Sequence, residues 1–153
     1  MKKFLCVALV AAGFLSVLTV PADAGIKDPA APGYFVVDVV GERFVLHVTD
    51  PDTAETARRI LAGELPQMIP VGDLMWGDGG FNFDNGSCYA WHMDPADVRF
   101  AEFAVEVCDG RPRSDVQADP TYWVDHLGYF CPWTAELIEE IEKPKRPICI
   151  AGN

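Results

Sequence analysis

Serine is almost missing from this chain. Beyond the apolar N-terminal stretch it occurs only at Ser87 and Ser114. Ser87 runs straight into Cys88 and Ser114 sits in a charged loop, so neither occupies a nucleophile elbow and no serine triad can be drawn. Histidine is scarce too. His47, His92 and His126 stand far apart, with no i, i+4 pair and no alternate-residue spacing, so the usual zinc patterns are missing. Positive charge is the third shortage: 12 Lys and Arg against 23 Asp and Glu, a formal net charge of −11. Such a chain repels phosphate backbones and anionic lipid, which argues against nucleic acid or a membrane surface as partner. There is no internal repeat, no low-complexity block and no cofactor motif, and the sequence predicts no bound cofactor and no metal.

What is present begins with an export signal. Lys2 and Lys3 precede an apolar run from Phe4 to Val20, Pro21 stops it, and Ala22–Asp23–Ala24 supplies small residues where a signal peptidase reads. Residues 1–24 are therefore expected to be removed, after which no membrane segment remains, and the destination is secreted or periplasmic. The remainder, 153 − 24 = 129 residues, is enough for one domain. Residues 25–33 read as a flexible Pro/Gly/Ala leader, 34–142 as the domain and 143–153 as a C-terminal tail.

Within the domain, Tyr34–Val40 and Glu42–Thr49 are β-rich runs around Gly41, either a hairpin or one strand broken at the glycine. Asp50–Pro51 starts a helix with Asp50 as cap and Gly63 as stop, Ala54, Ala57, Ile60 and Leu61 forming its apolar stripe. Leu65–Met75 holds a strand that Pro66 and Pro70 confine to an edge. Gly77–Gly86 is a glycine-rich loop. Ser87–Asp109 reads as the central hairpin, turning at Asp94–Asp97, with Phe103, Val105 and Val107 facing the core and Glu102 and Glu106 facing solvent. A short helix follows from Asp119 to Leu127. Pro132 opens a last helix carrying Trp133, Leu137, Ile138 and Ile141 on one side. The fold class is α+β: an antiparallel sheet of about four to five strands with about three helices packed on it.

Four cysteines survive cleavage: Cys88, Cys108, Cys131 and Cys149. An even number in an exported chain reads as two disulfides, leaving no free thiol for catalysis. If Met93 faces Val98 across the hairpin, Cys88 and Cys108 are offset by roughly 17 Å, too far for a bridge. Cys108 is then left to pair with Cys131 or with Cys149.

The blocks FVLHVTDPDTAETARRILAGE (44–64), WHMDPADVRFAEFAVEVCD (91–109), WVDHL (123–127) and CPW (131–133) together resemble a family of small secreted domains. That family includes the N-terminal domain of a cAMP-inducible developmental protein. The resemblance spans about residues 34–142. It implies a Cys108–Cys131 disulfide and leaves Cys88–Cys149 as a second staple for the tail. It carries no catalytic activity across, and it breaks down at GDGGFNFDNGSC, which replaces a shorter, proline-containing segment.

The chemistry that remains is recognition. Trp76, Phe81 and Phe83, with Asp78 and Asp84, lie in or beside the glycine-rich loop. Aromatics there serve as anchors for a protein or carbohydrate partner, unless the loop folds down over the core. Asp78, Asn82, Asp84 and Asn85 also carry oxygens for calcium but lack the EF-hand order of ligands. The expected function is a non-catalytic binding domain whose contact surface is the stretch at about 65–87. A peptidase inhibitor presenting an extended loop is the alternative. A small hydrolase using Glu102, Glu106, His92 and Asp94 comes second; it requires those side chains to converge in one pocket.

Overall fold

The computed structural model describes residues 31–145. The expected signal segment, the leader up to residue 30, and the tail beyond 145 with Cys149 lie outside the described residues. In chain order the elements are β1 (Gly33–Val39), β2 (Glu42–Val48), α1 (Pro51–Leu61), β3 (Ile69–Trp76), β4 (Phe83–Asp84), β5 (Ser87–Cys88), β6 (Trp91–Met93), β7 (Arg99–Ala101), β8 (Tyr129–Phe130) and β9 (Ala135–Ile141). Three short helical segments, Glu106–Cys108, Pro112–Val116 and Tyr122–Leu127, fall between β7 and β8. The class is α+β, as expected, with the strands divided among three antiparallel sheets rather than gathered into one.

β1 and β2 form a hairpin in full register, from Val39↔Glu42 to Gly33↔Val48. Its two-residue turn is Val40–Gly41, both at positive φ (54° and 83°), the type I′ geometry whose twist matches the strands. Phe35, Val37 and Val39 alternate inward with Phe44, Leu46 and Val48 opposite, and all six are buried. The sheet order is β2-β1-β9. Here the sequence expectation fails, because Ala135–Ile141 is a strand and not the last helix. Ala, Glu, Leu and Ile favour a helix locally, but the open edge of β1 offers a ladder of hydrogen bonds, and Ala135 and Leu137 point inward at period 2. A bulge at Val36/Val37 absorbs the change of phase.

α1 follows its sequence signals. The Asp50 side chain accepts from the Thr53 N–H at 2.8 Å, Pro51 begins the first turn, and Gly63 at φ 73° ends the helix. Ala54, Ala57 and Ile60 bury against the first sheet, and Arg58 reaches β9 in a half-buried ion pair with Glu140 at 2.9 Å.

The second sheet is organised by β3, which is central rather than the expected edge strand. Its length pairs in turn with β7 (Ile69–Val71), β8 (Gly72–Asp73) and β6 (Leu74–Trp76). β6 and β7 are both antiparallel to β3 and lie along successive stretches of it, so the chain does not reverse at Asp94–Asp97. The hairpin expected over Ser87–Asp109 is thus absent, and those four residues form a looped-out insertion within one strand direction. The Asp94 Oδ1 accepts from the Ala96 N–H, the Asp97 Oδ2 accepts from the Asp73 N–H, and the Pro95 carbonyl accepts from both the N–H and the hydroxyl of Thr49. An Asx turn can close a hairpin or a bulge, and local sequence does not distinguish the two.

Without the hairpin, strand register no longer holds Cys88 and Cys108 apart. The disulfide that forms is nevertheless Cys108–Cys131, with Cα atoms 5.1 Å apart, as the family resemblance implied. Cys88 is disulfide-bonded as well, and its expected partner Cys149 is outside the described residues. Pro112–Val116, expected to be largely irregular, and Tyr122–Leu127 are wide i→i+5 turns, closed by Gln117 N–H to Pro112 C=O and Gly128 N–H to Trp123 C=O. Phe44, Trp91 and Phe130 pack edge-on between the two sheets, with centroids 5.5–5.8 Å apart.

Candidate functional site

The glycine-rich loop folds down over the core. The Asp78 carboxylate accepts from the Gly80 N–H at 2.9 Å, and its backbone carbonyl accepts from Phe81 and Asn82. This tight bend drives Phe81 inward to 3% exposure and buries Asn82 completely. The Asn82 side chain then behaves like a missing strand: Oδ1 accepts from the Val45 N–H at 3.0 Å while Nδ2 donates to the Trp91 carbonyl at 2.8 Å. The Tyr89 hydroxyl donates to the Arg43 carbonyl at 2.7 Å along the same edge of β2. Burial pushes the Tyr89 phenol up to about 12, against the opposing pull of the Arg113 guanidinium. At the opposite edge of the sheet, Gln67 clamps the N–H and C=O of Leu137 on β9. Two amide side chains thus close the two outer edges of the first sheet, which would otherwise expose unpaired backbone groups.

The five residues expected to make the contact are not gathered on one face. Phe81 is interior and Asp78 is spent on its own turn. Phe83 and Asp84 are half-buried beside a shallow groove of about 240 Å³ shared with Val36, Val45 and Ile141, and Asp84 pairs with Arg113 at 3.1 Å. Trp76 is half-exposed, with its indole N–H donated to Asp125 at 2.6 Å. The oxygens considered for calcium diverge in the same way. The Asn85–Gly86 pair, both at positive φ, turns β4 into β5. An Asn-Gly dipeptide is the strongest short hairpin signal a sequence offers, and here it closes a two-rung ladder inside a stretch whose composition reads as loop.

Nor do the residues of the hydrolase alternative converge. The His92 Nδ1 donates to the Gly77 carbonyl at 2.7 Å, with its ring edge-on to Phe81. His92 pairs with Met75 near one end of β3, whereas Ala101, which precedes Glu102, pairs with Ile69 at the other. Six residues of strand separate them by about 20 Å. Glu102 and Glu106 are exposed, Asp94 is held in its Asx turn, and no group of three or more His, Cys, Asp or Glu among the described residues could hold a metal. His47 stacks on Tyr34 with centroids 4.2 Å apart. Burial, with Lys143 and His92 nearby, holds its imidazole below the ordinary value. The Ser114 hydroxyl is committed to Glu42, whose carboxylate also accepts from the N–H groups of Arg113 and Ser114. Burial raises that carboxyl, but these hydrogen bonds outweigh it and leave Glu42 lowered.

The exposed apolar surface lies elsewhere. Phe103, Val105 and Val107, expected in the core, are 84%, 65% and 62% exposed. β7 ends at Ala101, and the chain then leaves the sheet to reach the disulfide, so the apolar parity of an ordinary strand faces solvent. Both ends of this segment are fixed. Ala101 pairs with Ile69, the Cys131 N–H donates to the Cys108 carbonyl at 2.8 Å, and the Val105 carbonyl sits against both bridge sulfurs at 3.2 and 3.3 Å. Phe103 stands between two depressions. One, of about 390 Å³, is lined by Val71, Phe100, Val105, Cys108 and Tyr129. The other, of about 300 Å³, is lined by Ile69, Glu102, Ala104 and Trp133, the last itself 45% exposed. Burying three such side chains is worth roughly 5 kcal/mol, which the described fold leaves unrealised. Sequence reasoning missed this surface because EFAVEV carries an apolar parity that is indistinguishable from that of a core strand.

No curated protein and no solved structure matches the chain. One family model does match, over residues 31–144, a span that takes in β1 through β9 and the Cys108–Cys131 bridge. The chain belongs to the family which that model describes, the BP-74 N-terminal domain.

Proposed function

We propose that this is an exported recognition domain that binds a protein partner through the ridge Phe103–Val105–Val107 and the neighbouring Trp133. The observation that carries this reading is an apolar segment held open to solvent between a paired strand and a disulfide. A flexible loop would collapse its apolar side chains onto the nearest surface. Here the tethered ends prevent collapse and leave an aromatic and aliphatic cluster of the kind that forms the centre of protein interfaces. The exposed glutamates Glu102 and Glu106 supply a polar rim. The contact surface therefore moves from the glycine-rich loop, whose Phe81 and Asn82 are interior, to the stretch after β7. Export is part of the proposal, supported by the Lys2–Ala24 signal pattern and by disulfide-bonded cysteines in a small domain.

The test is affinity capture from extracellular fluid with the oxidised chain, compared with Phe103→Asp/Val105→Asp and with Phe83→Ala. The expected result is that the ridge variant loses the captured protein and the Phe83 variant keeps it. Equal recovery with all three proteins removes the ridge from the account.

A further inference from the structure

We infer that the segment Glu102–Val107 is a substrate-like inhibitory strand that fills the cleft of an extracellular peptidase with an apolar primary pocket, Phe103 entering that pocket. This rests on the reading above that the ridge contacts a protein, and it names the class of that protein. A peptidase cleft accepts a chain in extended form, pairs with its backbone, and selects by the side chain that drops into the primary pocket. The segment offers those features. Val105 is extended (φ −81°, ψ 146°), and Phe103 is the most exposed of the large apolar side chains among the described residues, at 84%. It projects between two depressions, so a pocket wall has room on either side.

Tethering lowers the entropic cost of such a complex. A free peptide with this sequence would lose backbone and side-chain entropy on entering a cleft. Here the Ala101–Ile69 pairing at one end and the Cys108–Cys131 bridge at the other have already fixed the segment. Two other occupants fit less well. A second copy of the chain would bring Glu102 and Glu106 against their own counterparts in a protein of net charge −11. A sugar needs hydrogen-bonding groups beside the aromatic ring, and Val105 and Val107 offer none. Association is non-covalent, and no bond need be made or broken for the cleft to be blocked.

The experiment is an inhibition assay of the full oxidised chain against α-chymotrypsin and subtilisin, which have apolar primary pockets, and trypsin, whose pocket carries a carboxylate. Expected are inhibition of at least one of the first two, a loss of about 100-fold for Phe103→Ala, and transfer of inhibition to trypsin for Phe103→Arg. Phe103 is nearly free of the fold, so these variants remain folded, and a thermal melt of each confirms it. The proposal is overturned if neither apolar-pocket enzyme is slowed, or if Phe103→Ala inhibits as well as the parent chain. An absence of inhibition alongside loss of the captured protein on Phe103→Asp/Val105→Asp would overturn the inhibitory role alone and leave the recognition reading standing.

Discussion

Replacing Asn82 by alanine tests whether the glycine-rich loop is a structural clamp. The residue is fully buried, and its amide serves two backbone groups on different elements, the Val45 N–H of β2 at 3.0 Å and the Trp91 carbonyl of β6 at 2.8 Å. Alanine strands both. An unsatisfied buried donor or acceptor costs about 1–3 kcal/mol, and the space left by the amide adds to this, so the substitution is expected to cost about 3–4 kcal/mol. That is a large share of the ~5–15 kcal/mol that holds a domain of this size together. Asn82→Asp is expected to be worse, because it turns a donor toward Trp91 into a buried anion facing a carbonyl. The assay is guanidinium unfolding followed by tryptophan fluorescence, with Ser87→Ala, exposed on the same loop, as the control that should move by less than about 0.5 kcal/mol. A shift below about 1 kcal/mol for Asn82→Ala would refute the claim that this amide fastens the loop to both sheets.

Three further outcomes follow from the same structure. Val40 is a β-branched residue at φ 54° and is 68% exposed, so Val40→Asn should relieve strain without losing packing and stabilise by about 1 kcal/mol, read as a higher melting temperature. Removing the Cys108–Cys131 bridge as the double serine variant releases a loop with a sequence separation of 23 and should cost about 3.5 kcal/mol in chemical denaturation. Because burial holds His47 below its ordinary value, the unfolded chain takes up that proton first, and stability falls as pH drops from about 6.5 toward the folded value. His47→Phe, which keeps the stack on Tyr34, should lose less melting temperature between pH 7 and pH 5 than the parent; an unchanged slope would remove His47 as a source of the acid sensitivity.

Those parts of the fold whose signals are local could be read in the sequence. The Asp50–Pro51 start and Gly63 stop of α1, and the alternation of β1 and β2 about Gly41, need no distant partner to be true. The family resemblance supplied the disulfide that spacing alone left open. What could not be read was decided by partners far along the chain. TAELIEEIE is a good helix until the edge of β1 recruits it. The Asp94–Asp97 turn looks the same whether the chain reverses or continues, and only β3 decides. Phe103, Val105 and Val107 have the parity of a core strand, and it is the pull of Cys108 toward Cys131 that lifts them off the sheet. Composition misplaces the contact surface for that reason: it points to glycines and aromatics at 76–84, while topology exposes a stretch that composition would bury.

The most direct test of the recognition surface is site-specific photo-crosslinking in extracellular fluid, with the photoreactive residue placed at Val105 in one chain and at Phe83 in another. The account predicts an adduct of defined mass from position 105 and none from position 83. An adduct from position 83 alone would return the contact to the glycine-rich loop and contradict it.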